Sequence, residues 1–390
     1  MNPTKFMRIR DSSWKKISLG LYEVRLGDAL FSFRLDSEKI SLPSLIDVAL
    51  RNNRKRRFLF VSKVIGRHLP TRPQELRRVA VDLATQLRKQ LAEKTTVFFG
   101  MSETATTIGQ AVFREWRLAG GTGIYLESTR HRTNGEVAFS FSEDHSHASQ
   151  HLIHLPDDGG FVREAFCGAP QMVIVDDEAT TGNTALSLAN AYNIWRTQNQ
   201  FPSARPNLAV ILKLNSSFHS LDSFDTVASL ARGESNFQIE SELGDPPAPQ
   251  KFHSSEAKRR KGVRHGTESP ETLPDSWESL RPEPGERILV LGTGEYGFQP
   301  LLLAEYLEKL GGNACLQSTT RSPILGGGAI AHVRSFPAFT GDGFTEHLYN
   351  VPDDHSYDRI LLCVEGEPPQ PHHPIWDVPR IHLAPKPEPQ

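Results

Sequence analysis

A chain of 390 residues can hold two or three domains, each burying its own core. With 38% hydrophobic and 23% charged residues and a formal net charge of −2, it has the balance of an ordinary soluble protein and offers no electrostatic ground for wholesale nucleic-acid binding. Three cysteines, Cys167, Cys315 and Cys363, are too few and too scattered for a disulfide framework or a zinc site, which points to a reducing compartment.

Residues 1–39 read as an N-terminal extension. The opening stretch carries scattered basic side chains and no apolar core of signal-peptide length, and no later run is long enough to cross a bilayer. The cytoplasm is therefore the expected setting, with no membrane partner. From 40 to 240 short apolar runs alternate with helical patterns. FLFVS at 58–62 reads as a buried strand. Leu76, Ala80, Leu83, Leu87 and Leu91 recur at helical spacing, with Pro73 near the expected start. TTVFFG at 95–100 is a second strand, ending in glycine just before a helix. MVIVDD at 172–177 and NLAVILKL at 207–214 are further strands. Alternating strands and helices predict an α/β fold with a mostly parallel sheet and flanking helices, whose ligands sit beyond the carboxyl ends of the strands.

Residues 241–285 lack periodic apolar positions and read as a flexible linker; the KRRKGVRH cluster inside it reads as solvated charge rather than a surface for RNA. Residues 286–367 form a second, smaller α/β domain, and 368–390 a Pro/His-rich tail. His372 and His373 in that tail lack a matching ligand set for a metal.

The chemistry concentrates in residues 173–184, VIVDDEATTGNT. An apolar strand ends in two acids, a short Thr/Gly turn follows, and a helix begins. Amides of the turn and of the helix N-terminus form an anion site, and Gly182 permits close approach of a phosphate. Thr180, Thr181 and Thr184 add hydroxyl donors, while Asp176 and Asp177 are suited to accept hydrogen bonds from a ribose diol. The bland alternative is a strand followed by a capped helix. Lys63, Arg67 and His68 follow the first strand, and resemblance to the family whose signature residues 173–184 carry, the type I phosphoribosyltransferases, implies that they help form the hood that selects the acceptor.

This segment resembles the phosphoribosyl-pyrophosphate signature of type I phosphoribosyltransferases. The resemblance implies that Asp176 and Asp177 orient the ribose and that Ala179, Thr180, Thr181, Gly182, Asn183 and Thr184 hold its 5′-phosphate. A second loop, Gly100, Met101, Ser102, Glu103 and Thr104, stands where the family binds the diphosphate; simple N-capping by Ser102 or Thr104 is its plain alternative. The polar stretch from Glu127 to His147 falls where the family carries a mobile flap, with Arg130 and Arg132 facing diphosphate oxygens and His145 and His147 handling protons. Mg2+ is implied, held mainly through the substrate and not by a protein cage. An aspartate assists the base nitrogen in the purine-salvage branch where this chain has Thr180, which speaks against a 6-oxopurine acceptor.

GMSETAT, ESTRHR, EDHSHA and VDDEATTGNT, followed by Thr320-Arg321-Ser322-Pro323, resemble a subgroup found in bacterial stress and tellurite-resistance clusters. Its members join a phosphoribosyltransferase domain to a C-terminal domain named for that Thr-Arg-Ser-Pro motif. The partners implied are phosphoribosyl pyrophosphate and a small-molecule acceptor left unidentified, with a homodimer left open. A non-catalytic sensor of the same donor is the alternative from another class; the flap cations favour an enzyme.

The two halves also echo each other. TTVFFGMSETATTIGQAV parallels RILVLGTGEYGFQPLLLAEYL, ESTRHR parallels STTRSP, QHLIHLP parallels EHLYNVP, and QMVIVDDEATTG parallels DRILLCVEGEPP. The second domain thus reads as a degenerate repeat of the first, without the paired acids or the threonine loop. Its G-x-G-x-x-G at 292–297 lacks the acidic residue about twenty positions on that a dinucleotide site needs.

Overall fold

The computed structural model describes residues 12–51, 56–142, 150–215, 219–239, 262–339, 341 and 343–385. It opens with an antiparallel meander of β1 (Ser13–Ser18), β2 (Leu21–Leu26) and β3 (Ala29–Glu38). Tyr22, Val24, Leu26, Ala29, Phe31 and Phe33 are buried at every second position, the period of a strand with one face on a core. The one-turn α1 (Leu42–Leu45) leads into an antiparallel pair, β4 (Ile46–Leu50) and β5 (Phe58–Ser62). FLFVS is thus a strand, paired outside the main sheet.

Helix α2 (Pro73–Gln90) starts at its proline, and Leu76, Ala80, Leu83 and Leu87 form its buried face. Then follow β6 (Thr96–Gly100), α3 (Thr106–Leu118), β7 (Gly123–Glu127), a hairpin of β8 (Val137–Ser142) and β9 (Gln150–His154), and α4 (Gly160–Gly168). The first half closes with β10 (Gln171–Ala179), α5 (Asn183–Gln198), β11 (Arg205–Asn215) and β12 (Thr226–Ile239). Among the described residues eight strands make the main sheet, in the order β1-β2-β3-β12-β11-β10-β6-β7. Strands β12, β11, β10, β6 and β7 run parallel, and β3 joins β12 antiparallel. The mostly parallel α/β architecture is as expected. The segment read as an N-terminal extension instead supplies three strands of that sheet.

The second half contains β13 (Arg287–Gly292), α6 (Phe298–Lys309), β14 (Asn313–Ser318), a hairpin of β15 (Val333–Pro337) and β16 (Thr345–Tyr349), then β17 (Arg359–Leu362) and β18 (Ile381–Leu383). Its parallel sheet, β14-β13-β17-β18, repeats the order β7-β6-β10-β11 of the first half. The sequence of elements repeats too: strand, glycine turn, helix, strand, hairpin, strand.

Two boundaries differ from the sequence reading. Within the segment read as a linker, residues 241–261 lie outside the described residues, but Val263, Arg264, His265 and Trp277 are buried. Buried ion pairs and a single tryptophan anchor this stretch, and neither registers as apolar periodicity. Within the segment read as a tail, β18 pairs with β17, and His373 caps a 3₁₀ turn at Pro374–Asp377. A continuous apolar core runs from Phe98, Val173 and Leu208 into Val290, Leu301 and Leu316 of the second half, and a separate cluster surrounds Leu289, Leu348 and Ile360. No helix among the described residues is long and apolar enough to cross a membrane.

Candidate active site

Strand register brings the two sequence-predicted loops together. In the parallel pairing of β10 with β6, Val175 lies opposite Gly100, so Asp176 and Asp177 emerge beside the 100–104 loop. Met101 N–H donates to the Val175 carbonyl at 3.0 Å, joining the loop bases. Gly100 is required there, because a Cβ would come within 2.1 Å of the Tyr125 hydroxyl.

Asp176 and Asp177 are both half-buried, and the Asp176 carboxylate accepts the Asp177 N–H at 2.9 Å. Burial, with Glu178 next to it, pushes the Asp177 carboxyl up to about 6. Glu178 forms an ion pair with Arg56, whose guanidinium lies over the rings of Phe58, at 4.7 Å, and Phe60, at 5.4 Å. The β4–β5 pair thereby reaches the ribose side of the site through Arg56, a residue that sequence reasoning did not single out.

Gly182 occupies the N-cap of α5 with φ +76°, and a Cβ there would meet Leu221 Cδ2 at 2.6 Å. Both facts reserve the position for glycine. Helix α5 has no side-chain cap, so its first-turn amides face outward as anion donors. Ala179 is buried, Thr180, Thr181 and Thr184 are half-buried and Asn183 is exposed, with Asn183 N–H donating to Thr181 Oγ1 at 3.3 Å.

In the 100–104 loop, Met101 and Ser102 are buried, while Glu103 and Thr104 are half-buried. Neither Ser102 nor Thr104 caps α3, which begins at Thr106 without a side-chain cap. The Ser102 hydroxyl is turned inward, 3.1 Å from His151 Nδ1 and 3.1 Å from the Ser128 hydroxyl. His151 is fully buried and stacks on Phe141 at 4.9 Å, tying the loop to the β8–β9 hairpin. Burial accounts for its absence from the sequence candidates: QHLIHLP carries no motif that marks the first histidine.

The hairpin stands where the flap was expected. Thr129 bridges Leu152 at its base, Arg130 is half-buried and Arg132 is exposed. His145 and His147 lie outside the described residues. Lys63 is engaged with Asp47 at 3.2 Å and His68 is buried, so neither is displayed as an open hood contact.

A buried charge cluster closes the side of the site next to the second half. Arg67 donates to the carbonyl oxygens of Glu103, Gly294 and Thr319, fastening three loops at once. Glu295 accepts the Thr129 hydroxyl at 2.6 Å, the Arg130 N–H at 3.0 Å and the Arg264 guanidinium at 3.1 Å. Burial opposes its ionisation, yet His131, Arg264 and these donors hold the Glu295 carboxyl well below the ordinary range. Burial has the opposite outcome at Glu127, whose pKa rises well above the usual carboxylate value despite the nearby Arg264. Glu295 and Arg264 escaped the sequence reading because each fell inside a stretch given another meaning, a glycine motif and a linker.

Among the described residues no group of three or more His, Cys, Asp or Glu side chains is arranged to hold a metal. The chain matches the family model for phosphoribosyl transferase over residues 45–226, and that for the TRSP domain C-terminal to it over residues 260–375. No curated protein matches it in sequence. Among solved structures it is similar to the adenine phosphoribosyltransferase of Trypanosoma brucei in complex with AMP, pyrophosphate and ribose-5-phosphate. That likeness has a TM-score of 0.34 and 13% identity, covering 56% of this chain and 86% of that one. It is similar to the adenine phosphoribosyltransferase of Rhodothermus marinus, with a TM-score of 0.32, 13% identity, and 49% and 96% of the two chains covered. The APRTase of Giardia lamblia gives 0.28 and 14%, over 42% of this chain and 81% of that one.

Proposed function

Because this chain belongs to the family in which a phosphoribosyl transferase domain is followed by a TRSP domain, we propose that it uses phosphoribosyl pyrophosphate and Mg2+ to transfer a phosphoribosyl group to a small-molecule acceptor. As a phosphoribosyltransferase it is a pentosyltransferase. The observation that carries the finer reading is the pairing of Val175 with Gly100, which sets a diol-binding pair of acids, a phosphate loop and a candidate diphosphate loop side by side.

Each part has a defined task. Asp176 and Asp177 accept the ribose hydroxyls and fix the sugar. Residues 179–184, with the first turn of α5, hold the 5′-phosphate through backbone amides and threonine hydroxyls. The 100–104 loop receives the departing diphosphate, and Arg130 offsets its charge as the bond to the anomeric carbon breaks. The hairpin above excludes water while that carbon carries positive character. His145 remains the proposed proton carrier of the flap.

Mg2+ would be held mainly through the donor's own oxygens, with Asp176 and Asp177 beside the ribose hydroxyls that it shares. When bound with the donor, Mg2+ supplies charge compensation for the diphosphate. Three free thiols, at Cys167, Cys315 and Cys363, support a cytoplasmic setting. The resemblance to tellurite-resistance clusters supports a stress pathway, which tellurite sensitivity on loss of the gene would reveal.

Calorimetry on the full chain tests the reading. Phosphoribosyl pyrophosphate should bind more tightly with Mg2+ than without it. Asp177→Asn and Gly182→Ala should each weaken that binding about 100-fold, the loss of two or more charged hydrogen bonds. Binding that ignores both substitutions removes the proposal. A non-catalytic sensor would bind the donor but release no diphosphate when candidate acceptors are added.

A further inference from the structure

The glycine loops of the two halves face each other and trade contacts residue for residue. Counted from Gly100 and Gly292, the last residues of β6 and β13, Glu103 and Glu295 hold the same place. Glu295 accepts the Thr129 hydroxyl and the Arg130 N–H; Glu103 accepts the Thr320 hydroxyl and the Arg321 N–H, both at 3.3 Å. Thr129 and Thr320 correspond in turn. The residues before them, Ser128 and Thr319, each donate N–H at 3.0 Å to the glycine carbonyl of their own half.

The exchange extends further. Thr71, just before α2, bridges Leu316 on β14, whereas Thr267, ahead of β13, bridges Tyr125 on β7. Within each half the arrangement also repeats, Arg67 pairing with Glu103 as Arg264 pairs with Glu295. His68 packs on Tyr349 and His265 on His154. Self-complementary contact of this kind is what a two-fold interface between subunits presents. Here it lies within one chain.

The symmetry breaks at the strand end that matters. Ile174 pairs with Phe99 and Leu362 with Leu291, one residue before each glycine, so Val364 stands where the first half has Asp176, and Glu365 where it has Asp177. Arg264 closes on Glu365 with two hydrogen bonds, filling this end from within.

We propose that the C-terminal half is a built-in partner subunit with no donor site of its own, and that Glu295 is a positioning residue for the diphosphate side of the single site. This rests on the reading given under Proposed function. Its carboxylate fixes Thr129 and Arg130 at the base of the hairpin, and its carbonyl accepts the Thr106 hydroxyl at 3.0 Å where α3 begins. The sugar-phosphate loop is held by its own half, through Leu221 beneath Gly182 and Arg56 beside Glu178.

The test compares two ligands on the full chain by calorimetry with Mg2+. Phosphoribosyl pyrophosphate engages both loops; ribose 5-phosphate engages only the sugar-phosphate loop. Glu295→Gln puts an amide donor opposite Thr129 or Arg130 and should weaken the first ligand about 10-fold, leaving the second within about 2-fold of wild type. Thr129→Val removes the same hydroxyl contact without touching a buried charge, and the same split is expected should the first variant fail to fold. Stoichiometry should be one donor per chain. Equal loss of both ligands, loss of neither, or two donors per chain overturns the inference. A wild-type chain that binds neither ligand instead overturns the phosphoribosyl reading itself, and the inference with it.

Discussion

The carboxyl ends of β10 and β17 occupy corresponding places in two sheets of the same strand order, yet their chemistry is opposite. At β10 two acids are followed by a threonine turn with a left-handed glycine, and burial leaves Asp177 poorly disposed to ionise. At β17 the corresponding acid, Glu365, is bonded twice by Arg264, and Glu-Pro-Pro at 367–369 follows where the phosphate turn would be. At one strand end burial and a neighbouring carboxylate raise the acid's pKa; at the other Arg264 satisfies the acid internally. A shared backbone frame therefore fixes where a site can be, and the pairing of one carboxylate decides whether it is a site or a support.

Equivalent substitutions should separate these roles. Glu365→Gln leaves Arg264 buried with part of its counter-charge removed, and should lower unfolding free energy by about 3 kcal/mol, read by urea titration. Asp177→Asn removes a carboxyl that resists ionisation where it stands. A carboxyl raised in the folded state destabilises it as pH climbs past the unfolded value, so at pH 7.5 the ligand-free Asp177→Asn protein should be no less stable than wild type. Equal destabilisation by the two would erase the distinction between site and support.

Much of the first half was legible because its signals are local. The strand, acids, threonines and Gly182 of residues 171–184 are contiguous, and α2 declares itself by leucine spacing after Pro73. The repeat was legible as strings, but its register was not: the aligned text sets Val364 against Asp177, whereas strand pairing sets Glu365 there. Thr129 likewise bridges Leu152 while Thr320 bridges His347, so His151 corresponds to Glu346 and not to His347. Long-range partners were out of reach. Arg264 sat in polar text that hid its burial, and Glu295 inside a glycine motif that suggested another ligand. The meander at 13–38 carries an alternating apolar pattern over only two short runs, Tyr22–Leu26 and Ala29–Phe33, too brief on its own to mark three strands of the main sheet.

The crossed histidines offer a smaller effect with a definite sign. Burial, aided by Arg67, lowers the His68 pKa to about 3; burial, then His265 and Arg264, lowers that of His154 to about 4. Both are neutral when folded, and the unfolded chain protonates first as pH falls below about 6.5. Stability is therefore fully present above that value and declines toward the folded pKa, by at most about 1.4 kcal/mol per pH unit for each histidine. His68→Phe should lose less stability than wild type between pH 7 and 5, leaving the part due to His154. Parallel losses in the two proteins would place His68 outside the acid response.

The smallest expected effect concerns what holds the halves together. Arg114 on α3 meets Glu305 on α6 with two 2.8 Å hydrogen bonds, a two-pronged ion pair between helices of the two halves. Yet both side chains keep contact with solvent, and Arg114 retains Glu115 at 3.2 Å and the Phe298 ring at 5.5 Å if Glu305 is lost. A double-mutant cycle with Arg114→Gln and Glu305→Gln should give a coupling of about 1 kcal/mol or less, shrinking with added salt. The same cycle on Thr129→Val and Glu295→Gln should give a larger coupling that salt leaves alone, since that contact is fully enclosed. The order of the two couplings carries the point: if the helix pair proves the stronger, the halves are joined by their helices and the exchange of glutamates merely accompanies it.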